Sequence, residues 1–224
     1  MGELFDRYYE ALRKPKAAGG AARVSGAGRL PGGRYEVVRI SGAGSVEGDL
    51  EAVEVECAGA SSFRGSVTAV RVSLAGATRV EGDLRAELVK AAGSLRVGGA
   101  LEGDEVRVAG ALKASRVKGK LVRLAGAFSV REGIEGEVVE LELSNDSRAA
   151  YVKGGEVAVK AAERWGPLSV LRLRPRPTLK VGSIEADFVL VEDAVVEGSV
   201  RAKRVELRGK GEVRGPVEGE VVKR

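Results

Sequence analysis

Three copies of the triplet Glu-Gly-Asp, at residues 47–49, 81–83 and 102–104, each place two carboxylates close together. Closely spaced carboxylates serve glycosidases as acid and base and serve calcium-dependent enzymes as metal ligands. In the first two triplets both carboxylates alternate with the apolar positions, a pattern that directs them to the outer face of a strand. We therefore interpret the triplets as charged surface residues without a catalytic role. A carbohydrate-active enzyme is the alternative, and it requires these carboxylates to line a cleft.

The residue types that the sequence lacks exclude several kinds of chemistry. There is no His and no Gln, and Asn145 is the single Asn. Without His, imidazole bases and imidazole metal ligands are excluded. The single cysteine, Cys57, excludes an intramolecular disulfide and a multi-cysteine metal site, and its place in the repeat indicates a small core residue. We predict a protein that is not an enzyme and has no cofactor, no metal and no small-molecule substrate.

Charge and composition narrow the class of protein further. Charged residues make up 31% of the chain and thermolabile amides are almost absent, which is typical of proteins from thermophiles. The net charge of +5 does not by itself predict nucleic-acid binding, and we expect none. No long apolar run, secretory signal or lipidation motif occurs. We therefore expect a soluble, cytoplasmic protein.

The sequence repeats with a period of about 17 residues. VEGDLEA at residues 46–52 returns as VEGDLRA at 80–86, and FRGSVTA at 63–69 fills the same slots between them. Glycine permits the sharp turns that a corner needs. Glycines that follow Ala or Ser mark each module at steps of 16 or 17 residues: Gly26, Gly42, Gly59, Gly76, Gly93, Gly110 and Gly126.

Between the glycines, apolar and polar residues alternate as in half-buried strands. Because the period is odd, strict alternation of apolar and polar residues cannot continue from one module to the next. Each module therefore needs one place where the alternation shifts by a residue, which we call a slip of parity. It falls after Ala52 and again after Ala69. A module of three short strands cannot bury its apolar face alone, but stacking at about 4.8 Å per layer pairs each strand with its equivalent. We predict an all-β parallel β-helix with these equivalent interior positions: Val46, Phe63, Val80, Val97 and Val130.

The outward positions of successive modules carry opposite charges. Glu47, Arg64 and Glu81 form one predicted column, and Glu54 and Arg71 are neighbours in another. Such ion pairs are weak one by one but add up as networks at high temperature.

The repeat divides the chain into four segments. Residues 1–20 are predicted to form an amphipathic helix and a linker, and residues 21–141 a parallel β-helix. Residues 142–178, where no module aligns, are interpreted as an irregular insertion, and residues 179–224 resume the repeat. One continuous solenoid and two separate stacks both fit this pattern.

The N-terminal segment LFDRYYEALRK has apolar residues at helical spacing, and the breaker PKAAGG follows it. We predict a short helix over residues 1–14. Its apolar face would cover part of the stack, contact a membrane surface or a partner groove, or belong to a disordered tail. That face consists of Leu4, Phe5, Tyr8, Tyr9 and Leu12.

A basic run in the irregular segment is a candidate contact for an anionic polymer or lipid. It consists of Arg172, Arg174 and Arg176. No aromatic ladder accompanies it, so a solvated loop is the alternative.

The modules VEGDLEAVEVE, FRGSVTAVRVS and VEGDLRAELVK resemble those of the bactofilins, polymer-forming cytoskeletal proteins, over about residues 24–141. The later stretches SIEADFVLVEDAVV and RVELRGKGEV are similar to a long branch of that family with a second β region. The resemblance implies a right-handed, three-sided β-helix that assembles end to end into filaments without nucleotide, often with an N-terminal membrane attachment. The chain departs from the family's pattern because it ends within β pattern at Arg224 rather than in a proline-bearing tail.

A β-helix also favours assembly on physical grounds, because the backbone groups and apolar slots of an open terminal layer can pair with another chain. We therefore predict a self-assembling structural protein whose main partner is a second copy of itself. A monomeric binding module for an anionic partner, either a membrane surface or a polymer, is the alternative. The predicted contacts between copies are Val24 and Leu30 in the first layer, and Val217, Val221 and Val222 in the last.

Overall fold

The computed structural model describes residues 20–162 and 176–224, and all of their regular structure is β. The described residues form turns of a parallel β-solenoid, about nine of them, with about 17 residues per turn. The strands are long because several run around corners of a turn. They are β1 (Ala22–Phe63), β2 (Val67–Val80), β3 (Leu84–Val97), β4 (Ala100–Ala114), β5 (Arg116–Leu143), β6 (Ser147–Ala161), β7 (Thr178–Glu192), β8 (Val195–Arg208), β9 (Glu212–Arg214) and β10 (Val217–Lys223).

The predicted fold class combines a β-solenoid with a short N-terminal helix, and the prediction of the helix is wrong. No helix occurs among the described residues. The segment to which the helix was assigned, residues 1–14 with Leu4, Phe5, Tyr8, Tyr9 and Leu12, lies outside them. Its prediction depended on one short stretch of helical spacing, and isolated helices shorter than about 12–15 residues are marginal in water.

The described chain forms two compact units. Unit 1 contains residues 20–108 and Lys113–Ser115, and unit 2 contains Ala109–Leu112 and the described residues from Arg116 to Arg224.

Where β1 pairs with β2 and β2 pairs with β3, each paired residue of unit 1 lies 17 positions before its partner. Phe63 pairs with Val80, and Val80 pairs with Val97, all three of them buried. Val46 is also buried, so the predicted interior positions of this unit are confirmed. The buried side chains of this unit are mostly Val, Leu and Ala, and Ile40, Cys57, Ser61, Phe63 and Thr78 join them, so few of them are bulky.

One corner of unit 1 is built from glycine. Gly59, Gly76 and Gly93 stack in register, and all three have positive φ, between 112° and 115°. A Cβ atom at Gly76 would collide with the carbonyl oxygen of Gly59 in the turn beneath. Only glycine fits both requirements, which is why it recurs at this position.

A second corner of unit 1 is built from side chains that bond to the next turn. Oδ1 of Asp49 accepts a hydrogen bond from the backbone N–H of Ser66, at 2.7 Å. The Ser66 hydroxyl oxygen accepts one from the N–H of Asp83, at 3.2 Å, and Oδ1 of Asp83 accepts one from Ala100, at 2.8 Å. The aspartates of the first two EGD triplets therefore satisfy backbone donors where the strands are interrupted.

The predicted slip of parity is also present in unit 1. Ala52 and Val55 are both buried although they lie three positions apart. The two residues between them, Val53 and Glu54, are half-buried. The chain turns at this point, and after it the residues of the opposite parity face the interior.

In unit 2 the pairing offset varies. Val139 pairs with Val157, 18 positions on, and Val157 pairs with Val189, 32 positions on. Strand β6, Ser147–Ala161, lies within the range 142–178 that was interpreted as irregular. That part of the range is a regular turn, which alignment at a fixed step of 17 misses because the offset changes on both sides of it. Residues 163–175 lie outside the described residues.

Candidate assembly interface

Three of the columns of apolar side chains in the interior of unit 2 end in a valine of the last described turn. One column runs Val139, Val157, Val189, Val205, Val221, with each member paired to the next. A second runs Ile134, Val152, Ile184, Val200, Val217. The third runs Leu179, Val196, Val213.

Burial changes sharply at the last member of each column. Val205 is 0% exposed, whereas Val221, stacked on it, is 45% exposed. Val200 and Val196 are buried, whereas Val217 and Val213 are half-buried. Within residues 20–162 and 176–224, a strand layer lies on one side only of these three valines.

The backbone of the last turn is open in the same direction. Strand β10 pairs with β8, and among the described strands none pairs with the other edge of β10. An edge strand presents unpaired N–H and C=O groups, which is a template for another strand. Apolar slots and unpaired backbone groups thus occur together on this surface, which we call the valine layer and define by Val213, Val217 and Val221.

The edge also has features that limit indiscriminate pairing. Pro216 precedes β10, and a register shift interrupts the pairing between Glu218 and Glu220. Short strands, prolines and bulges are common ways of protecting an edge. The valine layer is therefore open over short segments rather than along one long flat strand.

Ion pairs attach the last turn to the turn beneath it. Arg201 lies 2.7 Å from Glu218 and Arg214 lies 3.4 Å from Glu197, each across the two turns, and within the last turn Arg214 lies 2.9 Å from Glu212. The guanidinium of Arg214 is the main reason that the pKa of the Glu212 carboxyl is lowered, and Arg201 lowers that of Glu218 in the same way. The charged form of each carboxylate is favoured in this arrangement.

Glu206 occupies a buried position beside this turn. Its side chain is only 5% exposed, and its Oε1 accepts a hydrogen bond from Nε of Arg208, at 2.8 Å. Arg208 lowers the pKa of Glu206, with a smaller effect from Arg224. A buried carboxylate needs such partners to stay charged.

The structure places the other predicted contacts as follows. Val222 pairs with Glu206, so it does not continue an apolar column as Val217 and Val221 do. In unit 1, Val24 is buried at 8% exposure and Leu30 is half-buried. Val213 was not predicted, although its distance of 17 positions from Val196 could have identified it.

The predicted anion contact is only partly described. Arg176 donates hydrogen bonds to the carbonyl oxygen of Lys210 and to Glu212, both at 2.5 Å. Its guanidinium therefore binds the last turn of its own chain. Arg172 and Arg174 lie outside the described residues.

Comparison of the chain with protein-family models, with curated protein sequences and with solved structures finds no match.

Two further features bear on membrane and metal binding. No helix that could span a membrane is found in residues 20–162 or 176–224. Over the same residues, no group of three or more Cys, Asp or Glu side chains is arranged to hold a metal ion.

Proposed function

We propose that the protein is a non-enzymatic structural protein that assembles end to end with copies of itself into filaments or scaffolds, without nucleotide, as its resemblance to bactofilins implies. The observation that carries this proposal is the valine layer. Each of the three columns that end in this layer is buried until the last turn, where its final valine is left open beside a strand edge that no described strand pairs with. A second copy stacked on this turn would bury the valines and pair the edges.

A growing filament needs two contact surfaces on each copy, whether contacts join like surfaces by two-fold symmetry or unlike ones head to tail. The valine layer is one such surface. The first described turn, with Val24 and Leu30, is the proposed second one. The proposal of a non-enzymatic role is supported by the engagement of Asp49 and Asp83, whose oxygens accept backbone hydrogen bonds rather than facing a cleft.

Sedimentation and electron microscopy of the purified full chain test this proposal. We expect polymers in the unmodified protein and their loss, or shortening to dimers, in the variant Val221→Lys. Lysine at this position would place a charge between stacked copies, whereas in a lone copy it can reach water because the position is 45% exposed.

The matched control is Val70→Lys. Val70 is a half-buried valine at a corner of unit 1, and it does not belong to the valine layer. We expect this variant to polymerise normally. A purified chain that stays monomeric at low and high salt would contradict the proposal and favour the monomeric binding module. Equal loss of polymer in both variants would show that the valine layer is not the contact.

A further inference from the structure

A groove with a volume of about 690 Å³ runs along unit 1 and crosses five successive turns. Small side chains form its floor, among them Ala43, Ala60 and Ala77, and the hydroxyls of Ser45 and Ser62 lie beside them. Three arginines also line it: Arg29, Arg79 and Arg96. None of the described residues that line the groove is acidic or aromatic.

The arginines of this groove are stacked as like charges. Arg79 pairs directly with Arg96 in the register of β2 and β3, so the two side chains begin one strand spacing apart, about 4.8 Å. Lys113, also in unit 1, follows 17 positions after Arg96. Like charges on directly opposite positions of neighbouring strands are destabilising. Within the described part of the chain, none of Arg29, Arg79 and Arg96 makes an ion pair.

Elsewhere on unit 1, stacked positions carry opposite charges that meet. Nε of Arg39 lies 2.7 Å from Glu56, and Nε of Arg85 lies 3.0 Å from Glu102, each 17 positions away. Arg71 and Glu54 lie 3.4 Å apart in the same way. In the groove, by contrast, the paired positions Arg79 and Arg96 carry like charges. Features that break a local rule at a cost in stability are expected at functional sites.

The geometry indicates a linear ligand with repeated negative charges. The cations follow the stacking direction of the turns, so one compact anion would contact two of them at most. Guanidinium groups offer paired donors that match carboxylates and sulfates. The negative charges of a polymer lying along the groove would offset the repulsion between the stacked arginines. Each arginine would contact one of these charges.

The floor of the groove distinguishes between classes of polyanion. Single-stranded nucleic acid binds through aromatic stacking platforms, and the described lining has none. An extended acidic peptide repeats its side chains on one face every 6.6 Å or so, which does not match a layer spacing of about 4.8 Å. Polyphosphate is charged along its whole surface and gains nothing from methyl groups. A sugar chain presents C–H groups to the alanines and hydroxyls to the serines.

We propose that this groove binds a linear acidic polysaccharide, with its chain along the stacking direction and its carboxylates or sulfates on Arg79 and Arg96. The site is distinct from the valine layer and does not depend on self-assembly. An assembled scaffold would present the groove on every copy.

Binding of polygalacturonate to the full chain, measured by calorimetry at two salt concentrations, tests this inference. We expect the double variant Arg79→Gln/Arg96→Gln to weaken binding by about tenfold for each arginine removed. The same variant should unfold at an unchanged or higher temperature, because a like-charge contact is removed. The matched control, Arg39→Gln/Arg71→Gln, removes two paired arginines of unit 1 and should change affinity by less than about twofold.

The remaining probes decide whether the ligand class is right. Fully methyl-esterified polygalacturonate keeps the sugar chain but lacks the charge, and it should not bind. The inference is overturned if the unmodified protein does not bind polygalacturonate, if the control variant loses as much affinity, or if the ester binds equally well. Tighter binding of polyphosphate or of a deoxythymidine oligonucleotide would overturn it as well and assign the groove to that class.

Discussion

The hydroxyl oxygens of Ser61 and Thr78 lie 2.9 Å apart in the interior of unit 1. Both side chains are buried, and they occupy paired positions on adjacent turns. They form a polar pair in an otherwise apolar stack, where one hydroxyl donates a hydrogen bond to the other.

This polar pair should be visible in a double-mutant cycle. Thr78→Val leaves the Ser61 hydroxyl with one partner fewer and should lower the free energy of unfolding by about 1–2 kcal/mol. Ser61→Ala/Thr78→Val removes both hydroxyls and should cost less than the sum of the single variants. Chemical denaturation of the three variants measures the coupling. Strict additivity would show that the two hydroxyls do not stabilise each other.

The Cys57 thiol should be unreactive in the folded protein. It is buried, and burial raises its pKa to about 11, an effect only partly offset by the hydrogen bond with Ser61. The thiolate is the reactive form, so at pH 8 almost none is present. We expect labelling by a maleimide to be slow in buffer and fast in denaturant, as followed by mass spectrometry. Fast labelling of the native protein would contradict the burial of this side chain.

Replacement of a corner glycine should destabilise the stack. Gly76→Ala introduces a Cβ at a φ of +112° and against the carbonyl oxygen of Gly59, so we expect a loss of at least about 2 kcal/mol. Gly20→Ala is the control, because a Cβ there has open space around it. Thermal unfolding of both variants checks the difference. Equal stability of the two would mean that the corner relaxes to accept a side chain.

Acid should loosen the last turn. The pKa values of Glu206, Glu212 and Glu218 are all lowered in the folded chain, chiefly by Arg208, Arg214 and Arg201. The stability from these pairs is complete above the ordinary carboxyl pKa of about 4.3 and is lost as the pH falls through the lower folded values.

Hydrogen exchange of β10, corrected for intrinsic rates, measures this loss between pH 6 and pH 3. We expect β10 to lose protection over that range in the unmodified protein. In Glu218→Gln, which has no charge to titrate at that position, the change should be smaller. A protection factor for β10 that does not depend on pH would contradict the stabilising role of these pairs.

Much of the fold could be predicted from local pattern. The alternation around Val46 and Phe63, the slip after Ala52 and the glycine corner each follow from constraints that act within one turn and its neighbour. In residues 142–178, where no module aligns, the pairing offset is 18 on one side of Val157 and 32 on the other. A fixed period finds turns only where the connections keep their length.

The sequence predicted most of one candidate site and none of the other. Val217 and Val221 were predicted because they continue the strand pattern, and Val213 could have been found in the same way. The groove of Arg79 and Arg96 was not predicted. A basic run identifies residues that are neighbours along the chain, whereas these two are 17 positions apart in the sequence and one strand apart in space.

By itself, the sequence determined that the chain coils in parallel turns of about 17 residues, since parity and glycine spacing are local properties that every turn must satisfy. The tertiary structure decided which residues the stack leaves exposed or without an opposite charge. Burial of a valine depends on whether another layer covers it, and pairing of an arginine depends on what the register places above and below it. Neither is a property of the residue or its neighbours in the chain.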